Sequence, residues 1–344
     1  MMRSFNSILL WLILSGAAFA QTGANLSGYH IIDSVRLGGE GGWDYLSVDS
    51  AAQRVYVSRA TRVQVVDVAS RQLVGEVPHT PGVHGIALDV EAGKGYTSNG
   101  RDSSVSVFDL KTLATVAVIK IDASNPDAIL FEPYTKRVFT FNGRSDNATV
   151  IETKTDRVAG TIKLDGRPEF AAADGRGMIY VNIEDKSELA SIDARSLKVI
   201  TVWSLAPGEG PSGLAIDRIH RRLYSGCDNR LMVVSDADQG RVIGTVPIGQ
   251  GVDGTAFDHL TGFAFSANGE GTLTVFSGPA PQNPDLLENI PTRRGARTLT
   301  VDEKTHRVYT VTARFGPPPP ASTEQPRPRP TMEPGSVTLY IIGR

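Results

Sequence analysis

One column of polar residues recurs along the chain at nearly regular intervals. Successive members are separated by 40, 43, 42, 43, 41 and 44 residues, and six of the seven are ionisable. The members are Asp44, His84, Asp127, Glu169, Ser212, Asp253 and Arg297. Neighbouring columns are mostly apolar or small, so the packing of the strands does not require a charged residue at this position. Because clustered carboxylates raise one another's pKa values and attract cations, the column is a candidate ligand site.

The segments that carry this column are repeats of one β-rich unit. Seven first strands end in a carboxylate: WDYLSVD, VHGIALD, PDAILFE, PEFAAAD, PSGLAID, VDGTAFD and ARTLTVD. The runs that follow them carry an aromatic at one matched position: Tyr56, Tyr96, Phe139, Tyr180, Tyr224, Phe265 and Tyr309. Four short β-type runs per repeat, with a period of roughly 40–45 residues, are typical of a propeller blade. The sequence therefore predicts an all-β protein, a seven-bladed β-propeller of four-stranded antiparallel blades.

The two ends of the chain are expected to close the ring together. The last repeat has only three strands, and a strand-like segment at residues 29–37 precedes the first repeat. This amino-terminal strand can complete the last blade and so remove an open sheet edge. A single propeller domain then spans residues 29–344. Since each first strand starts on the top face, the seven polar residues, here called the mouth ring, should surround the top opening of the channel.

The amino-terminal segment has the pattern of an export signal. Arg3 precedes an apolar run at residues 8–14, and Ala18-Phe19-Ala20 forms a small-x-small cleavage site. We expect a signal peptide at residues 1–20, a short linker at residues 21–28, and an exported monomer that is periplasmic or secreted, with no membrane span after cleavage. A net charge of −2 gives no bulk attraction to nucleic acid or membranes, and the one cysteine allows no intrachain disulfide.

The repeats resemble a known family. KGYTSNGRDSSVSVFDLKTLATVAVIKI and RVFTFNGRSDNATVIETKTDRVAGTIKL are similar to the repeat of YVTN/YncE-type seven-bladed propellers, and the resemblance covers nearly all of residues 29–344. The resemblance is specific for the propeller fold and indicates no particular activity. Some propellers of this family are described as DNA-binding, and arginines gather on the expected top face: Arg59, Arg62, Arg293, Arg294, Arg297, Arg314, Arg327 and Arg329. The absence of interleaved aromatic residues disfavours single-stranded nucleic acid as the partner.

Several chemistries of the mouth ring stay open. It can be a salt-bridged rim that locks blade to blade. It can hold Ca²⁺ through the oxygens of Asp44, Asp127 and Glu169, although no cofactor is expected. Zinc or copper would ask for more imidazole or thiolate than His84 supplies, because the other histidines map elsewhere: His30, His79, His220, His259 and His306. A carboxylate pair could also act in acid–base hydrolysis, as in the propeller lactonases that the repeat distantly resembles.

A proline-rich insertion at residues 316–335 interrupts the last blade. Its composition cannot form a core, and the strand order places it on the top face beside Arg297. It is either a tolerated surface insertion or a lid or docking segment. The function that we predict is a binding or scaffold protein without catalysis, whose top face takes a small molecule or a protein. The expected site is Asp44, His84, Asp127, Glu169, Asp253 and Arg297, with Trp43 and Arg59 beside it.

Overall fold

The computed structural model describes residues 27–278, 284–319 and 330–344. The predicted signal peptide, most of the predicted linker and the centre of the proline-rich insertion lie outside these residues. The described chain forms seven four-stranded antiparallel sheets around a central channel, which confirms the all-β, seven-bladed propeller. Among the described residues no helix is long and apolar enough to cross a membrane. The helical element there is a single 3₁₀ turn, Glu184–Lys186.

Each blade is a meander that runs from the channel outwards. Blades one to three contain β2 (Leu46–Asp49), β3 (Arg54–Arg59), β4 (Arg62–Asp67), β5 (Gln72–Val77); β6 (Val83–Asp89), β7 (Lys94–Asn99), β8 (Ser104–Asp109), β9 (Thr115–Lys120); and β10 (Pro126–Glu132), β11 (Arg137–Asn142), β12 (Asn147–Glu152), β13 (Arg157–Lys163). Blades four and five contain β14 (Pro168–Ala173), β15 (Met178–Ile183), β16 (Glu188–Asp193), β17 (Lys198–Ser204); and β18 (Pro211–Asp217), β19 (Arg222–Cys227), β20 (Leu231–Asp236), β21 (Arg241–Pro247). Blade six contains β22 (Val252–Asp258), β23 (Phe263–Asn268), β24 (Thr272–Ser277) and β25 (Leu286–Pro291).

Blade seven is built from both ends of the chain. Its sheet order is β1-β28-β27-β26, with β1 (His30–Arg36) outermost, then β28 (Thr338–Gly343), β27 (Arg307–Thr312) and β26 (Leu299–Asp302). β1 pairs antiparallel with β28, so that Val35 lies opposite Leu339. Just ahead of β1, Tyr29 is fully buried and packs edge-on against Phe265 of blade six, with ring centroids 5.1 Å apart. The predicted closure by the amino-terminal strand is therefore confirmed.

The matched aromatics form the inter-blade core. All seven are at most 1% exposed. In blade five, Tyr224 stacks on Phe257 of blade six, with ring centroids 5.3 Å apart and planes 10° from parallel. Packed aromatic pairs of this kind contribute stability beyond their buried area. The repeated aromatic thus fixes the spacing of neighbouring blades and the radius of the channel.

The carboxylates that end the seven first strands have a structural role at the bottom face. Asp49 Oδ1 accepts hydrogen bonds from the backbone N–H groups of Ala51 and Ala52 at 3.0 and 2.9 Å. The same turn geometry recurs in the other blades, where the accepting residues are Asp89, Glu132, Asp174, Asp217, Asp258 and Asp302. These acids cap turns, and the ring that could bind a ligand is therefore the one at the top.

Candidate functional site

The backbone around the mouth ring turns its side chains towards the channel. In blades two to six the antiparallel register between the first two strands shifts at the start of the inner strand, for example between Pro126 and Ile129 or between Val252 and Gly254. In blades one and seven, Asp44 and Arg297 come ahead of the inner strands β2 and β26. Bulges of this kind interrupt the ladder and re-aim side chains. The mouth ring therefore lies at the level where regular pairing is interrupted or has not yet begun.

Three consecutive blades bring one imidazole between two carboxylates. His84 Nδ1 lies 2.7 Å from Asp44 Oδ2 and 3.5 Å from Asp127 Oδ1. Burial alone would lower the pKa of His84, but the hydrogen bond with Asp44 and the charges of Asp127 and Asp44 outweigh it and raise the pKa. Asn125 Nδ2 donates to Asp127 Oδ2 at 3.3 Å. The imidazole is thus poised to be cationic and to hold both carboxylates.

The ring continues through an arginine bridge on the other side. Arg297 Nη2 lies 3.3 Å from Asp44 Oδ1, and its Nη1 lies 3.1 Å from Asp253 Oδ2. The Ser212 hydroxyl donates to Asp253 Oδ1 at 2.9 Å. The pKa values of Asp127 and Asp253 are raised to about 6, mainly by burial; His84 opposes the rise at Asp127 and Arg297 opposes it at Asp253, while the charge of Asp44 adds to both. The structure therefore brings together Asp44, His84, Asp127, Asp253 and Arg297, as the sequence predicted.

Glu169 differs from the other acids of the mouth ring. Burial, followed by the charges of Asp127 and Glu184, raises its pKa to about 9. Glu184 lies close enough to Glu169 for each to influence the pKa of the other, and Glu184 pairs with Arg167 at 2.8 Å. With a pKa of about 9, Glu169 carries a proton at neutral pH. The pair holds a proton at a site where ionised carboxylates lie close by.

The shifted pKa of Glu169 gives a prediction for stability. Its folded-state pKa lies above that of the unfolded chain, so its contribution to stability is present at low pH and is lost as pH rises from about 4.5 through about 9. We expect the melting temperature of Glu169→Gln to fall less between pH 5 and pH 9 than that of the parent, by a few degrees. Circular dichroism melts at both pH values measure this. Glu270→Gln, at an exposed position, is the matched control, and equal slopes for all three proteins would contradict the assignment.

A cavity of about 580 Å³ opens beside the mouth ring, over blades four to six. Its charged lining consists of four carboxyl residues and two arginines: Glu169, Glu184, Asp228, Asp253, Arg294 and Arg297. Val252 adds an apolar surface, as do Phe315, which directly precedes the proline-rich insertion, and Pro330 within it. The insertion therefore borders the site, and acids outnumber cations inside it.

Tyr45 lies beneath the mouth ring. It is 8% exposed and packs against Phe170, with ring centroids 5.1 Å apart. Burial raises its pKa well above the usual value, and four carboxyls of the ring add to the rise: Asp127, Glu169, Asp44 and Asp253. Tyr45 and Phe170 also line a second cavity, of about 430 Å³.

The two residues that were predicted beside the ring have different places. Trp43 is half-buried, and its ring centroid is 6.2 Å from that of Phe315, at the edge of the cavity. Arg59 is fully buried and is not brought to the mouth. Its guanidinium donates to the carbonyls of Gly38 and Gly41 at 3.1 Å each, so it fixes the loop ahead of Trp43. Burial, followed by the charge of Arg62, lowers its pKa to about 10.

Two acids of the cavity follow from a column that the sequence analysis did not use. Glu184 and Asp228 stand four residues after the matched aromatics of blades four and five. In the other five blades that position holds only a small residue: Ala60, Gly100, Gly143, Gly269 and Ala313. A carboxylate at a position that is otherwise small was therefore a readable signal that the site extends over these two blades.

Comparisons with known proteins show the fold alone. No family model and no curated protein matches the sequence. Among solved structures, the chain is similar to U3-55K (TM-score 0.75, 11% identity, 91% of this chain and 99% of that chain). It is also similar to the WD40 repeats of RRP9 (TM-score 0.76, 11% identity, 91% of this chain and 98% of that chain). A third similar structure is Kuenenia stuttgartiensis hydrazine synthase (TM-score 0.70, 14% identity, 78% of this chain and 92% of that chain). The neighbours are WD40-like, and membership of the YVTN-type family stays a prediction.

Proposed function

We propose that this protein is an exported β-propeller that binds a small, positively charged ligand at the top mouth of its channel and does not itself catalyse a reaction. The observation that carries the proposal is the excess of carboxyl groups over cations in the mouth ring and its cavity. Export to the periplasm or medium rests on the predicted signal peptide. The YVTN-type repeat is consistent with a rigid ring that presents a binding face.

The hydrogen-bond inventory of the mouth favours a ligand that donates. Within the ring, His84 Nδ1, Arg297 and the Ser212 hydroxyl are already engaged with Asp44 and Asp253. Carboxyl oxygens outnumber these donors, and acceptor oxygens in a partly buried site favour an ammonium-type or metal cation. An anionic ligand would have only Arg294 and the engaged Arg297 to meet it within the cavity.

The shape of the cavity also suits a small organic cation. A volume of about 580 Å³ is within the range of small-molecule sites. Val252, Phe315 and Pro330 give apolar surface for a short alkyl stem, while Asp253 and Glu184 can meet ammonium groups at its ends. The chemistry and the size together point to an aliphatic amine or diamine as a suitable probe.

Titration with 1,4-diaminobutane tests the proposal. We expect saturable binding of one molecule, followed by calorimetry and by the fluorescence of Trp43, which contacts the cavity wall at Phe315. Asp253→Asn should weaken binding by at least about 10-fold, because it removes a buried charge that faces the ligand. Glu91→Gln removes the same charge from an exposed turn on the opposite face and should leave binding unchanged. Absence of saturation, or equal losses in both variants, would overturn the proposal.

One observation favours hydrolysis as a second candidate. Protonated Glu169 and its ionised neighbours place an acid and a base in one cavity, as acid–base hydrolysis of a lactone would need. Turnover of a simple lactone by the parent protein, and its loss in Glu169→Gln, would move the assignment to an enzyme. Unchanged lactone in the presence of the parent protein would leave the binding function in place. No observation favours nucleic acid.

A further inference from the structure

We propose that Asp44, His84 and Asp127 form a binding site for one divalent metal ion of the class that includes Zn²⁺ and Mn²⁺. The site lies in blades one to three, beside the cavity for the organic cation. This inference rests on the proposed function, because both assume that the mouth attracts cations. It adds a second cation position, for a metal ion, beside the one for the organic cation. The two positions are separable, since the metal trio shares no residue with the lining of the cavity.

The geometry of the trio is close to that of a metal's ligands. One ligand atom from each residue lies within 4.8 Å of the others. Two ligands that each stand about 2.1 Å from a tetrahedral metal are about 3.4 Å apart. The distances from His84 Nδ1 to Asp44 Oδ2 and Asp127 Oδ1, 2.7 and 3.5 Å, bracket that separation. A metal ion could therefore take the place of the imidazole proton.

The surroundings hold the trio in a ligating arrangement. Arg297 contacts Asp44 Oδ1, and Asn125 contacts Asp127 Oδ2, so each carboxylate keeps its other oxygen directed at His84. Gly100 lies against the far side of the imidazole, where an added Cβ would stand 2.7 Å from Nε2. Partners of this kind orient metal ligands in proteins and tune their affinity. Gly100 is therefore a positioning residue for His84.

The ligand set selects the class of metal. The sequence alone offered one imidazole, too few for zinc, but the structure adds two carboxylates to it, and Zn²⁺ also accepts carboxylate oxygens. Imidazole suits Zn²⁺ and the other first-row metals, and carboxylate oxygens suit Mn²⁺. Three protein ligands with an open position are typical of zinc sites that also bind a small molecule. Ca²⁺ takes six to eight oxygens, and within the described residues this trio supplies two carboxylates and a nitrogen. We therefore expect Zn²⁺ or Mn²⁺ to bind more tightly than Ca²⁺.

Metal titration of chelator-treated protein tests the site. We expect one Zn²⁺ or Mn²⁺ per chain by calorimetry, and a higher melting temperature with the metal than without it. His84→Gln and Asp127→Asn should each lower metal affinity by at least about 100-fold, and Gly100→Ala by about 10-fold. Glu91→Gln, at an exposed turn on the opposite face, is the matched control and should keep metal affinity. Circular dichroism confirms that each variant is folded.

The outcomes separate the two proposals. Loss of metal binding in His84→Gln with 1,4-diaminobutane binding retained supports both. Metal binding without any diamine binding supports the metal site and overturns the organic-cation proposal. Sub-stoichiometric metal, or metal affinity unchanged in folded His84→Gln and Asp127→Asn, overturns the metal site. Tighter Ca²⁺ than Zn²⁺ or Mn²⁺ binding overturns the assigned class of metal.

Discussion

A chain that lacks residues 29–37 is expected to melt at least about 10 °C below the intact protein and to aggregate. The deletion removes β1 (His30–Arg36), so β28 becomes an unpaired edge strand in blade seven. It also removes Tyr29, which is fully buried against Phe265 of blade six. The lost contacts therefore open the ring at the junction of two blades. For a domain of this length, a shift of this size corresponds to a loss of about 6 kcal/mol or more.

Thermal melts and size-exclusion chromatography of both chains measure this effect. A deletion of residues 320–329, which removes a stretch of similar length from the proline-rich insertion, is the control. It should leave the melting temperature nearly unchanged, because that segment follows β27 and supplies no strand to the described sheets. An unchanged melting temperature after removal of residues 29–37 would show that closure by the amino-terminal strand does not hold the ring together.

The double variant Asp127→Asn with Glu169→Gln is expected to lose cation binding while it keeps its fold. Both substitutions preserve shape and remove the ability to ionise. Because burial raises the pKa values of both carboxyls, their charged forms cost stability, and the variant should melt at or above the parent's temperature at pH 8. Metal affinity should fall by at least about 100-fold, because Asp127 is one of the three ligands. The affinity for 1,4-diaminobutane should fall by about 10-fold, because Glu169 lines its cavity and Asp127 is a carboxylate of the adjoining ring.

Calorimetry and thermal melts on the same samples distinguish this result from a structural rim. A salt-bridged rim predicts the opposite pattern, in which stability falls and binding is unaffected. Glu91→Gln with Glu270→Gln, which removes two carboxylates at exposed positions, is the control for net charge. Parent-like affinity in the mouth double variant would move the site to the arginines or to the proline-rich insertion.

The fold could be predicted because two independent columns repeat at the same period. The buried aromatic and the turn carboxylate are both local requirements of a blade, so each of the seven units had to carry them. The mouth ring was predictable for the same reason: a repeat fixes which residues share one level of the channel. Its charge stood out against a position where packing needs none.

Other parts of the site depend on contacts that the repeat does not encode. Arg59 stands three residues after the matched aromatic of its blade, a position expected on the top face. Its partners are instead the loop carbonyls of Gly38 and Gly41, outside the repeat. At the same position in blades two and six, Asn99 and Asn268 donate to hydroxyls of their own blades. The orientation of this column therefore depends on local hydrogen bonds, and the period alone does not predict it.

The cavity depends on where the repeat is broken. Phe315, just before the proline-rich insertion, and Pro330 within it form part of one wall. Blades four and five add Glu184 and Asp228 where the other blades have small residues. Each of these residues departs from the repeat, so the features that the seven copies share do not predict it. The predicted mouth ring therefore lies at the level of the cavity, and the residues that widen the cavity were not predicted.

Covalent coupling of 1,4-diaminobutane to the carboxyls that bind it tests the central claim most directly. A soluble carbodiimide at pH 6 with a low concentration of the diamine forms amides at carboxyls near a bound amine, and peptide mass spectrometry locates them. Glycine amide under the same conditions gives the labelling that exposure and protonation alone produce. If the mouth binds a small cation, the diamine should label Glu169, Glu184 and Asp253 to an extent well above their labelling by glycine amide. Labelling that follows exposure instead, with Glu91 ahead of the mouth carboxyls, would contradict it.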